Sequence, residues 1–207
     1  MISSLTAEKL ACARGERRLF DGLNFRVRAG QALAVEGANG AGKTSLLRLL
    51  AGFLTPSAGR LVVKTALSES DDAEERGKVV GWLGHQDGLK PQLMVIEQLT
   101  FFARLYRSTA DAAVLERVGL ARQAELPCRY LSAGQRRRLA LARLLVSNRP
   151  LWLLDEPFAA LDASGQALVA QLMALHCGAG GIIIAATHEP LGLGNEILRL
   201  GNESLKL

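Results

Sequence analysis

Ala32-Leu33-Ala34-Val35-Glu36-Gly37-Ala38-Asn39-Gly40-Ala41-Gly42-Lys43-Thr44-Ser45 is the stretch on which the reading of this fold turns. Its first five residues form an apolar run with no polar alternation, as a strand covered on both faces requires. The nine that follow fit the pattern G-x-x-x-x-G-K-[ST], and residues 46–51 read as the start of a helix. Strand, glycine-rich loop and helix, in that order, are the context in which this pattern cradles a polyphosphate. Gly37, Gly40 and Gly42 let the backbone approach an anion without Cβ interference. Backbone N–H groups along Gly37, Ala38, Asn39, Gly40, Ala41, Gly42, Lys43, Thr44 and Ser45, with the helix N-terminus, would face the phosphates. Lys43 supplies a point charge to the β- and γ-phosphates of a nucleoside triphosphate such as ATP, and Thr44 offers a hydroxyl to Mg²⁺.

A second apolar run, residues 151–154, ends in Asp155-Glu156-Pro157. In open α/β sheets, the C-terminal ends of strands are where ligands bind. Asp155 is therefore the candidate Mg²⁺ ligand, and Glu156 the group that faces the γ-phosphate and polarises the attacking water. Two adjacent acids repel one another, so a nearby cation is expected. Taken alone, the pair also fits a solvated strand-to-helix turn; the phosphate loop decides between the two readings.

Around these two motifs the chain alternates between strand-like and helix-like segments. Strand candidates are 61–64, 79–83 and Ile182–Ala186, besides the two already quoted. Helical spacing recurs in Val95, Leu99, Phe102 and Tyr106, and again in Leu168, Leu172 and Leu175. Such alternation implies an α/β fold with a largely parallel, doubly wound sheet. The first thirty residues differ: 9–13 and 23–28 read as short strands of an antiparallel flap. The tail 196–207, with Gly201-Asn202 between alternating pieces, reads as a hairpin. The charged stretch 68–78 reads as an exposed loop. With 207 residues, 49% of them apolar, the chain can bury a substantial core as one domain, with or without a lobe.

Further motifs then fall into a familiar order. Leu131-Ser132-Ala133-Gly134-Gln135 resembles the signature sequence of ATP-binding-cassette (ABC) ATPases, about twenty residues before the Asp-Glu pair. Ala160-Leu161-Asp162 resembles their D-loop, Thr187-His188 their switch histidine, and Gln86 their Q-loop glutamine. The resemblance spans nearly the whole chain. It implies a P-loop NTPase of ABC type: a mostly parallel core, an antiparallel β flap and a small helical lobe at about 87–147, all within one domain over 1–207. It also implies that Gln86 touches Mg²⁺, that His188 touches the γ-phosphate, and that Ser132, Ala133, Gly134, Gln135 and Asp162 serve the ATP held by a second copy in a head-to-tail pair. Ser132 is well suited to cap the helix that follows, whose N-terminus is a second anion site.

Two positions depart from the family pattern. Ala133 stands where glycine is usual, bringing a methyl group towards the γ-phosphate. Arg14 stands near the place of the adenine-stacking aromatic, with Phe20 as a second candidate; a guanidinium plane can stack on a base, but adenine recognition should be weaker.

A narrower resemblance rests on Gly84-His85-Gln86, on the tract from Leu131 to Asp162, and on Thr187-His188-Glu189-Pro190-Leu191. It is to the ATP-binding subunits of the haem exporter in cytochrome c maturation. It implies ATP hydrolysis coupled, through integral membrane subunits, to haem export or to release of a haem-loaded chaperone. It places the chain peripherally on the cytoplasmic face of the inner membrane. Residues 87–130 would receive the membrane subunit, with Leu89, Pro91 and Met94 as contact candidates.

Composition agrees with a partner of this kind without selecting it. The net charge of +5 suits phosphate ligands, nucleic acid or an anionic surface alike. Arg136-Arg137-Arg138 reads as charges on a helix face, one or two of them supporting the nearby ATP, rather than as a nucleic-acid patch, so no direct nucleic-acid partner is expected. Cys12, Cys128 and Cys177 are scattered and read as reduced thiols; His85 reads as structural, and no direct haem ligation is expected. No signal peptide is expected at the N-terminus, and no apolar stretch is long enough to span a bilayer. The competing readings are an ATPase of a drug or lipid transporter and a soluble ABC protein acting on DNA or the ribosome. The second is disfavoured because the chain carries neither a coiled-coil insertion nor a second cassette.

Overall fold

Two long strands, β1 (Ile2–Arg14) and β2 (Arg17–Arg28), open the chain and pair antiparallel across Gly15-Glu16 in a computed structural model that describes residues 2–109 and 112–201. Both exceed the short strands expected at 9–13 and 23–28, because β1 is paired on both sides, with β2 and with a later strand, through residues as polar as Ser4 and Thr6. β3 (Ala32–Glu36) then enters the core, with Ala32 to Val35 at most 4% exposed.

The phosphate-loop sequence leads directly into α1 (Lys43–Leu50), whose N-cap Gly42 has φ 104°. An L-residue rarely adopts that backbone, and a Cβ there would lie 3.2 Å from both Leu19 and the Phe20 ring. Leu46, Leu47, Leu49 and Leu50 are all fully buried, so α1 is held between the flap and the sheet.

β4 (Ala58–Thr65) corrects the reading of 61–64 as a strand of the main sheet. It pairs antiparallel with β1, and with β5 (Glu69–Ser70) it completes a four-stranded sheet of order β2-β1-β4-β5. Only Leu61 and Val63 are fully buried there, with Val62 between them partly exposed.

The expected loop 68–78 is also corrected. It holds β5 and a short helix, α2 (Ala73–Gly77), which Asp72 caps by accepting from Glu75 N–H. Arg76 is 3% exposed and donates to the carbonyls of Leu50, Leu61 and Asp71. Charge alone suggests exposure; burial lowers the pKa of this guanidinium, and the three carbonyls with Asp72 and Asp71 nearby offset part of that cost.

The second sheet is parallel throughout: β6 (Val80–Leu83), β7 (Leu151–Asp155), β8 (Ile182–Ala186) and β9 (Glu196–Arg199) join β3 in the order β6-β7-β8-β3-β9. β9 lies parallel to β3 at the sheet edge, so it is not the first arm of a local antiparallel pair. The other arm of the expected hairpin lies outside the described residues.

Between β6 and β7 run α3 (Val95–Leu105), α4 (Ala112–Arg117) and α5 (Ala133–Ser147). Val95, Leu99, Leu115, Val118 and Leu120 form a separate apolar cluster with Leu139, Ala142 and Val146 of α5. The other side of α5, with Ala140, Leu141 and Leu144, packs on the parallel sheet. α5 is thus apolar on two sides and joins the helical layer to the core.

α6 (Ala163–Gly178) buries Val169, Leu172 and Met173, whereas Leu175 is 56% exposed, so the stripe predicted through Leu175 is rotated. Near its end, His176 stacks on the buried Trp152 of β7 with ring centroids 3.9 Å apart. Burial pushes its pKa from the usual 6.5 down to about 4, against hydrogen bonds to Pro150 and Ile182 that favour the charged form. The imidazole is therefore neutral in the fold near pH 7. A depressed base takes up its proton more readily when unfolded, so its contribution is whole above pH 6.5 and shrinks as pH falls towards 4. We expect wild type to lose about 2–3 kcal/mol from this group over that window, and His176→Phe to lack that component. Urea unfolding at pH 7 and pH 4.5 measures it; identical pH losses in the two proteins would refute it.

Candidate nucleotide site

Four adjacent parallel strands end at the same edge of the sheet, and each delivers one of the sequence motifs there. β3 leads into the phosphate loop, β6 into Gly84-His85-Gln86, β7 ends at Asp155 with Glu156 next, and β8 is followed by Thr187-His188. The strand order makes neighbours of segments more than 140 residues apart in sequence.

The side chains meet. Lys43 Nζ donates to Gly37 O at 2.6 Å, lies 3.5 Å from Ala38 O, and approaches His188 Nε2 at 3.1 Å. An ammonium only donates, so in a hydrogen bond between the two His188 Nε2 is the accepting atom. His188 Nε2 is also 3.6 Å from Glu156 Oε1. Thr44 Oγ1 donates to Asp155 Oδ2 at 3.0 Å. Lys43 and Asp155 are nearly buried, whereas His188 is exposed at the rim.

Glu156 has φ 50°, the left-handed region, which is unfavourable for a side chain of its kind. Its N–H is bound by Ala186 O at 2.8 Å. Such local strain is a feature of functional sites, where surrounding contacts over-determine the backbone.

Lys43, Thr44, Asp155 and Glu156 line one open cavity of about 880 Å³, which also takes in Ala38, Asn39, Gly40, Gly42, Ser45, Gln86 and Arg14. Arg17, Leu19, Arg48, Phe53, Trp82, Gly84 and His85 complete it. Of these, sequence reasoning singled out Gly84 and His85 and missed the rest, because residues scattered over the flap, α1, the turn after it and β6 carry no motif. Gly37, Ala41 and His188 do not line the cavity; His188 meets the site through its contacts with Lys43 and Glu156. Arg14 lies on the wall as expected. Phe20 does not: it is buried beneath Gly42, which removes it as a base-stacking candidate.

The oxygen donors fit a hard divalent cation. Mg²⁺ takes one or two protein oxygens together with phosphates and water, and the adjacent Thr44 hydroxyl and Asp155 carboxylate are such a pair.

The signature residues do not reach this cavity. Ser132 caps α5 by accepting from Gln135 N–H at 3.2 Å, and Gln135 Oε1 accepts from Ser132 N–H at 2.9 Å, a reciprocal capping box. Ala133 and Ser132 are exposed, and a methyl added to Gly134 would stand 3.0 Å from Ala160 O. The signature turn therefore packs against the Ala160-Leu161-Asp162 segment. Asp162 caps α6, and hydrogen bonds from Gly165 N–H and the Ser164 hydroxyl hold its carboxyl below the ordinary carboxylate range.

A sequence profile described as ABC transporter matches residues 20–159. The chain belongs to the ABC transporter family. Its fold is correspondingly close to that of an ABC transporter ATP-binding protein of Pyrococcus furiosus, with a TM-score of 0.82 at 22% identity over 96% of this chain and 98% of the other.

Among curated sequences, the chain is 51% identical over 95% of its length to the cytochrome c biogenesis ATP-binding export protein CcmA of Rhodopseudomonas palustris strain BisB5, of which it covers 98%. It is 48% identical over 92% of its length to the protein of the same name from Rhizobium etli, of which it covers 91%. As an ABC ATPase it binds ATP and hydrolyses it. No helix among the described residues is long and apolar enough to cross a membrane.

Proposed function

We propose that this chain is the ATP-hydrolysing subunit of a membrane ABC complex, and that it energises the haem-handling step of c-type cytochrome biogenesis. The similarity to CcmA over 95% of the chain carries this reading. In it, Gly37–Ser45 backbone groups bind the triphosphate, Lys43 neutralises the β- and γ-phosphates, and Arg14 lies against the base. Thr44, Asp155 and Gln86 hold Mg²⁺, which offsets charge on the transferring phosphoryl group. Glu156 orients and deprotonates the attacking water; His188 steadies the γ-phosphate.

The separation of Ser132–Gln135 from the cavity supports a head-to-tail pair. A capped helix N-terminus with exposed N–H groups is an anion site, and here it has no phosphate loop of its own chain to serve. In the pair, each copy's Ser132, Ala133, Gly134, Gln135 and Asp162 close over the other's ATP. The helical unit within 87–147 would then dock integral membrane subunits, placing the chain peripherally at the cytoplasmic face of the inner membrane. Met94, 40% exposed, and Pro91 stay available for that contact, whereas Leu89 is partly buried against the helical cluster.

In cells whose own copy carries Glu156→Gln, holocytochrome c should be absent while the protein still copurifies with membrane subunits. Staining for covalent haem reads the result. Normal c-type cytochromes would remove the haem assignment and leave the ABC ATPase in place.

A further inference from the structure

Three consecutive arginines follow the signature, and the fold treats them differently. Arg136 donates to Leu131 O at 2.7 Å, and Arg138 reaches the carbonyls of Val118 and Gly119 at 3.4 Å. Arg137 turns inward and is 3% exposed, so it is not a charge on the helix face.

Its guanidinium lies where three parts of the site converge. Nη1 donates to Gly84 O at 2.8 Å and to Asp87 Oδ1 at 3.1 Å. Nη2 donates to Asp155 O and, at 2.6 Å, to Glu156 O. Only Nε has no partner. One side chain on α5 thus binds both sides of Gln86 and the two residues at the end of β7. Asp87 is the counter-ion, and its carbonyl also accepts from Arg143 at 3.2 Å, so the 84–87 segment is tied twice to the same helix.

We propose that Arg137 is the positioning residue that holds Glu156 and the Gln86 segment in one register with the signature helix. Glu156 occupies a left-handed backbone conformation, its N–H bound to Ala186 O and its C=O bound to Arg137. With both ends of the residue fixed, the direction of its Cα–Cβ bond is fixed, and with it the point from which the carboxylate enters the cavity. Gly84 O and Asp87 on the same guanidinium set the position of Gln86 relative to that carboxylate. Movement of α5, whose N-terminus is the signature turn, must therefore carry both groups together.

The planar fork is essential to this role: its two terminal nitrogens point to different segments, and a lysine has a single nitrogen to offer. None of these bonds involves the phosphate loop, so ATP binding should be largely independent of them. The inference rests on the reading that Glu156 acts on the nucleotide.

The test compares full-length Arg137→Lys, Arg137→Met and Glu156→Gln with wild type for ATP affinity, KM, kcat and thermal unfolding. Arg137→Lys keeps the charge and most of the stem. It should bind ATP within about threefold of wild type with a similar KM, while kcat falls about tenfold or more, the pattern of a lost transition-state arrangement. Arg137→Met should fall further in kcat; if it does not fold, the lysine variant decides alone. The proposal is overturned if Arg137→Lys turns over within twofold of wild type. It is equally overturned if kcat, affinity and melting temperature decline together, as for a residue that only supports the fold. Wild-type turnover by Glu156→Gln would instead remove the site reading itself; an inactive Glu156→Gln beside a normal Arg137→Lys would remove the Arg137 inference alone.

Discussion

Glu156→Gln should bind ATP with near-normal affinity and hydrolyse it about 10²–10⁴-fold more slowly, the range a positioned general base contributes. The side chain lies on the cavity wall, 3.6 Å from His188 Nε2, on a backbone fixed by Ala186 O and Arg137. An amide fills the same volume and keeps one oxygen, so the left-handed backbone and its two hydrogen bonds should persist. What is lost is the basic oxygen and a negative charge facing the triphosphate. Loss of that charge should also strengthen ATP retention, because one repulsive partner of the γ-phosphate is gone. Since Ser132–Gln135 lie away from this chain's own cavity, retained ATP should draw in a second copy and hold it. Light scattering in ATP and Mg²⁺ should then show twice the monomer mass, reverting when ATP is removed. A protein that stays monomeric with ATP bound, across a range of concentrations, would be incompatible with the head-to-tail arrangement.

The edge of the sheet that carries these groups was legible because each of its pieces is a short contiguous motif attached to an apolar strand. Gly37 to Ser45 announces itself locally; Asp155-Glu156 gains its meaning from that loop, and Gln86 and Thr187-His188 from their place in the family's motif order, while the parallel order β6-β7-β8-β3 brings all four together. The antiparallel sheet was legible in kind and not in extent. The pairing of β1 passes through Ser4, which is 3% exposed, and propensity alone gives no reason to extend a strand through it.

The buried arginines were illegible for a deeper reason. Arg76 and Arg137 have the composition of surface residues, and their burial depends on carbonyls that come from other elements: Leu50 and Leu61 for one, Gly84, Asp155 and Glu156 for the other. Such partners are known only once the chain is folded. The α6 stripe failed more simply. Leu168, Leu172 and Leu175 share helical spacing, but so do Val169, Leu172 and Met173; Val169 and Met173 pack on the sheet and Leu172 on the helical cluster, which leaves Leu175 outside.

Lys43→Ala should reduce turnover about 10³-fold or more while leaving the fold in place. The ammonium is held at the bend of the phosphate loop by Gly37 O and Ala38 O and stands 3.1 Å from His188 Nε2. Asp155 and Glu156 lie on the same cavity, and a triphosphate adds several negative charges to theirs. Without Lys43 the developing charge on the transferred phosphoryl group loses a preorganised cation; removing a single oxyanion donor elsewhere costs about 10²–10³, and a full charge in a partly dry site should cost at least as much. The fold should tolerate the change, because α1 is anchored by four fully buried leucines and its N-cap is Gly42, none of which depends on the ammonium. Lys43→Arg should not restore activity: a planar guanidinium cannot take the place of a compact ammonium between Gly37 O and the His188 ring. Phosphate release at saturating ATP, with a thermal melt of each variant, measures both halves. An alanine variant that keeps turnover within about tenfold of wild type would remove Lys43 from the phosphate site, whereas a large fall in melting temperature would show instead that its contacts with the Gly37 and Ala38 carbonyls hold the loop together.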